Sequence, residues 1–155
     1  MSEVSAHSIV KTQPSGSRVI GIPPGDPKIA EMHFQSKLAF ETDPSDVYTD
    51  LSNGNTEILL VDARTQETYA QGHVPGAINL PWRKIDLSST VAIPKDKVLV
   101  TYCDGVHCNA STKAAMRLAA LGFRVKEMLD GMQGWKREGY PVDGTIIQLS
   151  AQVAR

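Results

Sequence analysis

Cysteine is scarce in this chain: two residues in 155, Cys103 and Cys108, five positions apart. Two cysteines cannot supply the disulfide framework of a small secreted domain. Charge of one sign is not in excess either. The net charge of −1 gives no electrostatic footprint for nucleic acid or an anionic membrane surface. No apolar run approaches the roughly 20 residues needed to cross a bilayer. The opening MSEVSAHSIVKTQPSGSR lacks the basic start and apolar core of a secretory signal. These absences predict a cytoplasmic protein without nucleic-acid or membrane partners. In that reducing compartment a lone cysteine pair more often serves catalysis, redox chemistry or metal binding than a staple. What is present, 41% hydrophobic and 21% charged residues, suits one globular domain with an ordinary core.

Along the chain, residues 1–27 are rich in Ser, Pro and Gly and read as an irregular lead-in. A domain over 28–143 follows, beginning with a helical extension, and 144–155 form a tail, ordered or an extra edge strand. KIAEMHFQSKLAFE carries an imperfect helical stripe that passes into a short edge strand. DPSDVYTDLSNG is a short helix capped by Asp43 or Ser45 and stopped at Asn53-Gly54. EILLVD (57–62) and KVLVTY (97–102) are unbroken apolar runs of strand length, as expected of strands covered on both faces. TQETYAQG is a helix or turn, and HVPGAINLP a loop entering a short strand. ASTKAAMRLAALG (110–122) is a helix with Ala110, Ala114, Leu118 and Leu121 on one face and Gly122 as its stop. FRVKEM is a further strand and MQGWKREG a last short helix. Strands alternating with helices define an α/β domain with a mostly parallel sheet. Ligand sites in such sheets lie beyond the carboxyl ends of the strands, where Cys103 falls.

The stretch LVTYCDGVHCNAST (99–112) therefore joins a buried strand to a helix. Amides of such a loop, with the unpaired N–H groups of the helix start, can converge into an anion cradle. A cysteine there has its thiolate, or a persulfide anion, stabilised by those dipoles. Gly105 gives the loop backbone freedom. Other readings stand beside this one. Cys103 can be a buried, inert side chain. A zinc set of Cys103, His107, Cys108 and His73 matches no common ligand spacing. A Cys103–Cys108 disulfide would be transient in a reducing compartment, hence regulatory or catalytic.

LLVDARTQETYAQGHVPGAINLP, then VLVTYC, then GFRVKEMLDGMQGWKREGYPV resemble a single-domain rhodanese, a sulfurtransferase. The matching motifs are Asp62-Ala63-Arg64, Gly72-His73-Val74-Pro75-Gly76-Ala77, Tyr102-Cys103 and Asp130-Gly131-Met132-Gln133-Gly134-Trp135, within about residues 44–142. The resemblance implies a five-stranded, mostly parallel sheet flanked by helices on both faces. It implies a Cys103 nucleophile that takes a sulfane sulfur from a small donor (thiosulfate, polysulfide or a protein persulfide) and passes it to a thiol acceptor, small or protein-borne. No metal or organic cofactor is implied. The cradle is assigned to Asp104, Gly105, Val106, His107, Cys108, Asn109 and Ala110, with Cys108 as a resolving thiol or an apolar plug. Asp62, Arg64 and His73 are read as structural support, and His107 as a proton shuttle or a solvent-facing residue.

The loop departs from the family's usual pattern. Cys103 lies about two residues farther from the helix, no Arg or Lys lies in the loop, and Asp104 adds a negative charge beside the nucleophile. A dianionic donor then needs Arg64, Arg83 or Lys113 to reach in. Related phosphatases and arsenate reductases carry Arg where this chain has Asn109, which argues against phosphoryl chemistry. The alternative function is a non-catalytic rhodanese-fold module that binds a partner or senses redox state through Cys103 and Cys108.

Overall fold

A computed structural model describes residues 16–145, so the tail beyond 145 and the first 15 residues lie outside the described residues. The chain divides into two compact units, Met1–Gln35 and Ser36–Arg155. Residues 16–26 are irregular and lead into helix α1 (Pro27–Phe40), which spans the division between the units in sequence and none of whose residues is buried.

The second unit holds a five-stranded sheet in the order β1-β5-β4-β2-β3, every pairing parallel. The strands are β1 (Glu41–Thr42), β2 (Ile58–Asp62), β3 (Ile78–Asn79), β4 (Val98–Tyr102) and β5 (Arg124–Met128). The two apolar runs sit side by side, Ile58 opposite Val98 through Asp62 opposite Tyr102. Parallel strands need crossovers, and helices supply them on both faces. Helices α2 (Pro44–Ser52) and α6 (Gly131–Arg137) cover one face, where Val47, Met132 and Trp135 pack on Leu60, Val100 and Tyr102. Helix α5 (Ala110–Ala120) covers the other, where Ala114 and Leu118 pack on Val61 and Leu99. Side chains alternate along a strand, so Val100 and Tyr102 face α6 while Leu99, Thr101 and the following Cys103 face α5.

Local chemistry sets the element ends. Asp43 caps α2 by accepting from the Asp46 amide at 2.9 Å, and Thr65 caps α3 (Gln66–Gln71) by accepting from Thr68. Gly122 ends α5 at a φ of 86°, a left-handed conformation that suits glycine. A 3-10 turn (Trp82–Lys84) and the four-residue α4 (Leu87–Thr90) fill the β3–β4 connection, which carries no reading in the sequence. Asp86 and Ser89 cap α4 reciprocally.

Candidate active site

Asp62 ends β2, Tyr102 ends β4 and Met128 ends β5, so the connections that follow open on one edge of the sheet. The Asp62 carboxylate is fully buried, and Arg64 returns to it through Nε at 3.0 Å and Nη2 at 2.7 Å. The same Nη2 donates to the Gly72 carbonyl at 2.7 Å. Burial works against the Arg64 charge, but the Asp62 hydrogen bond and charge outweigh it and raise the guanidinium pKa. The Tyr102 hydroxyl accepts from the Val74 amide at 3.1 Å. His73 sits away from the cysteines, its Nδ1 at 2.8 Å from the Tyr69 carbonyl and its ring stacked on Tyr69. Trp135 is buried and donates through Nε1 to the Pro141 carbonyl.

The loop after β4 is clamped by α6. The amides of Met132 and Gln133 donate to the carbonyls of Cys103 (3.0 Å) and Asp104 (2.8 Å). Gly131, at a φ of 47°, lies against the Cys103 carbonyl, and a Cβ there would overlap it. With those carbonyls held outward, the loop folds back. The Cys108 amide donates to the Gly105 carbonyl at 3.0 Å.

The two thiols are placed differently. Cys103 is 2% exposed. Its sulfur lies 3.1 Å from the Cys108 carbonyl and 3.9 Å from that of Gly105, both acceptors, and 3.5 Å from the Ser111 hydroxyl. That hydroxyl is also 2.7 Å from Glu127, which accepts from Thr112 as well. Burial pushes the Cys103 thiol up, the neighbouring Cys108 sulfur adds to this, and Ser111 offsets only part. Cys108 is half-buried. Burial pushes its thiol up too, but hydrogen bonds from Cys103 and from the Ala110 and Asp104 amides outweigh this and hold it below the ordinary thiol value. Both thiols are free.

Of the residues assigned to a cradle, then, Asp104 and Ala110 direct amides at Cys108, while Gly105 and Cys108 turn carbonyls toward Cys103. Val106 is exposed, and Asn109 starts α5 without a side-chain cap. His107 is exposed, 3.4 Å from the Asp104 carboxylate. Among the described residues, no group of three or more His, Cys, Asp or Glu is placed to hold a metal ion.

Two cavities meet at Cys108. One, of about 510 Å³, is lined by Arg64, Trp82, Arg83, Asp104 and Cys108. The other, of about 290 Å³, is lined by Cys103, Cys108, Ser111, Glu127 and Asp130. Sequence reasoning passed over Ser111, Glu127 and Trp82. The Trp82 amide donates to the Ala63 carbonyl at 3.3 Å, which brings the indole to the first cavity from the β3–β4 connection.

These features define a class: a parallel α/β domain with a cysteine loop at the carboxyl edge of its sheet, clamped by helix α6. The chain belongs to the rhodanese-like domain family, whose model matches residues 43–138. The crystal structure of the BH2092 protein from Bacillus halodurans is 43% identical with a TM-score of 0.76, over 78% of this chain and 88% of that one. A sulfurtransferase from Allochromatium vinosum is 38% identical over 88 residues, 56% of this chain and 78% of the relative. The HTH-type transcriptional regulator Rv0324 from Mycobacterium tuberculosis is also 38% identical, over 87 residues. That match spans 56% of this chain but only 38% of the regulator. No helix among the described residues is long and apolar enough to cross a membrane.

Proposed function

We propose that the chain is a sulfurtransferase, moving a sulfane sulfur from thiosulfate, polysulfide or a protein persulfide to a thiol acceptor through a cysteine persulfide in the β4–α5 loop. The observation that carries this reading is the loop itself: two free, interacting thiols at the carboxyl edge of the sheet, with amides of Asp104 and Ala110 directed at Cys108 and that of Ser111 at Cys103. The family resemblance assigns the sulfur to Cys103. In the first half-reaction a cysteine thiolate attacks the outer sulfur of thiosulfate, the S–S bond breaks, and sulfite leaves with the electron pair. In the second, an acceptor thiolate takes the terminal sulfur and the cysteine is restored.

Intact mass after exposure to thiosulfate or polysulfide tests this directly. The expected result is a gain of one sulfur atom that a thiol acceptor then removes. No gain from either donor would overturn it. The same two thiols, together with the regulator among the relatives, support a second reading as a redox-sensing or binding module. Reversible loss of two hydrogens on oxidation, with no sulfur transfer, would establish it.

A further inference from the structure

The geometry points to Glu127 as the specificity-determining residue of the Cys103 cavity, its carboxylate selecting a sulfane-sulfur carrier that bears an ammonium group over an anionic one. This rests on the sulfurtransferase reading and names the class of donor that Cys103 takes.

The charge around Cys103 comes first. Among the described residues, the cavity it lines has Glu127 and Asp130 in its wall and no lysine, arginine or histidine. Asp130 is neutralised by Arg137 at 2.7 Å. Glu41, opposite Glu127 on β1, is neutralised by Lys37 at 2.9 Å. Glu127 has no such cation: among the described residues its carboxylate accepts from two hydroxyls, those of Ser111 and Thr112. The cations that could serve an anionic donor are turned elsewhere. Arg64 binds Asp62 and the Gly72 carbonyl, and Lys126 donates to the Leu38 carbonyl. Arg83, Lys113 and Arg117 stand over Trp82, which lines the other cavity.

Position comes second. The Ser111 and Thr112 hydroxyls both donate to one oxygen of Glu127, Oε1, at 2.7 and 2.8 Å. Oε2 keeps its acceptor capacity for a ligand. The buried Ser111 hydroxyl also lies 3.5 Å from the Cys103 sulfur, so the carboxylate stands one hydroxyl away from the reacting atom. Glu127 is half-buried, where a charge is screened less than in open water. It repels an anion and attracts an ammonium group, and donor choice is the difference between the two. In the step proposed, the Cys103 thiolate attacks the outer sulfur of a thiosulfonate, R–SO₂–S⁻, with the ammonium of R at Glu127. The S–S bond breaks, the sulfinate leaves with the electron pair, and Cys103–S–S⁻ forms with the total charge unchanged. Thiosulfate follows the same course more slowly.

The test uses three donors that present the same outer sulfur: thiosulfate, methanethiosulfonate and 2-aminoethanethiosulfonate, a dianion, a monoanion and a zwitterion. Sulfur loading is followed by intact mass at low salt and varied donor concentration in wild type, Glu127→Gln and Leu129→Lys. Glu127→Gln is expected to load thiosulfate about tenfold faster than wild type and 2-aminoethanethiosulfonate about threefold more slowly, with methanethiosulfonate between them. The change is expected in the donor concentration for half-saturation, not in the saturated rate. Leu129 is exposed on the same cavity, so Leu129→Lys supplies a cation there while leaving the Ser111 and Thr112 bonds in place. It is expected to shift the three donors in the same directions. Rates that change by one common factor for all donors, or thiosulfate loading that is no faster in either variant, overturn this assignment and leave the sulfurtransferase reading intact. Absence of sulfur from every donor in every protein overturns both.

Discussion

Gly131 and Cys103 are in backbone contact: the glycine sits against the cysteine's carbonyl, where any side chain would overlap it. The amide of the next residue, Met132, donates to that same carbonyl. Two sequence-distant motifs, the cysteine loop and the Asp-Gly-Met-Gln-Gly-Trp turn, are one structural unit. Gly131→Ala adds a left-handed alanine and a backbone overlap, each of the order of 1–3 kcal/mol. The expected result is a lower urea midpoint, with thiol alkylation no longer distinguishing Cys103 from Cys108. An unchanged alkylation pattern would show that the clamp does not shape the loop.

Asp62→Asn leaves the buried Arg64 guanidinium without its carboxylate. Removal of one partner from a buried pair costs about 3–5 kcal/mol. Because Arg64 also holds the Gly72 carbonyl, the loss should appear as cooperative destabilisation in chemical denaturation. A change within the range of ordinary surface substitutions would contradict this account of the motif.

The thiols should separate with pH. The Cys108 pKa is lowered, so its alkylation rate should rise and level off at lower pH than that of Cys103, whose pKa is raised. The Asp104 carboxylate opposes part of the lowering at Cys108. For stability the two signs oppose. A raised Cys103 pKa contributes stability below the unfolded value that is lost as pH rises through the folded one, while a lowered Cys108 pKa contributes stability that is gained over the interval up to the unfolded value. Alkylation profiles resolved by peptide fragmentation should therefore diverge, while denaturation midpoints should rise toward the unfolded thiol value and fall above it, because the two windows adjoin there. Superimposed profiles would contradict the placement of the two sulfurs.

Mild oxidation should join Cys103 to Cys108, because the thiols interact and neither is otherwise engaged in a covalent bond. The expected outcome is loss of two hydrogens, loss of sulfur loading, and recovery of both thiols with a reductant. Loading that persists after oxidation would show that the pair does not close.

Much of this was legible in the residues. The apolar runs at 57–62 and 97–102 identify the central pair of parallel strands, Asp43 the start of α2, and Gly122 the end of α5. The 3-10 turn and α4 were not, because three and four residues carry no periodicity. The Asp86-to-Ser89 spacing was the available signal for α4. Within the site, the cysteine loop announces itself, but which donors and carbonyls surround each sulfur does not. That depends on peptide orientations fixed by Met132 and Gln133, which lie far away in sequence. Trp82 and Arg83 likewise reach the cavity only through the tertiary placement of the β3–β4 connection.

Turnover tests the central claim most directly. Thiosulfate labelled only in its outer sulfur is supplied with cyanide or a small thiol, and the label is followed. Catalytic appearance of labelled thiocyanate or labelled persulfide, matched by sulfite release and lost with the loop thiols, is the predicted result. A label that stays in thiosulfate, while Cys103 and Cys108 cycle only between dithiol and disulfide, would contradict it.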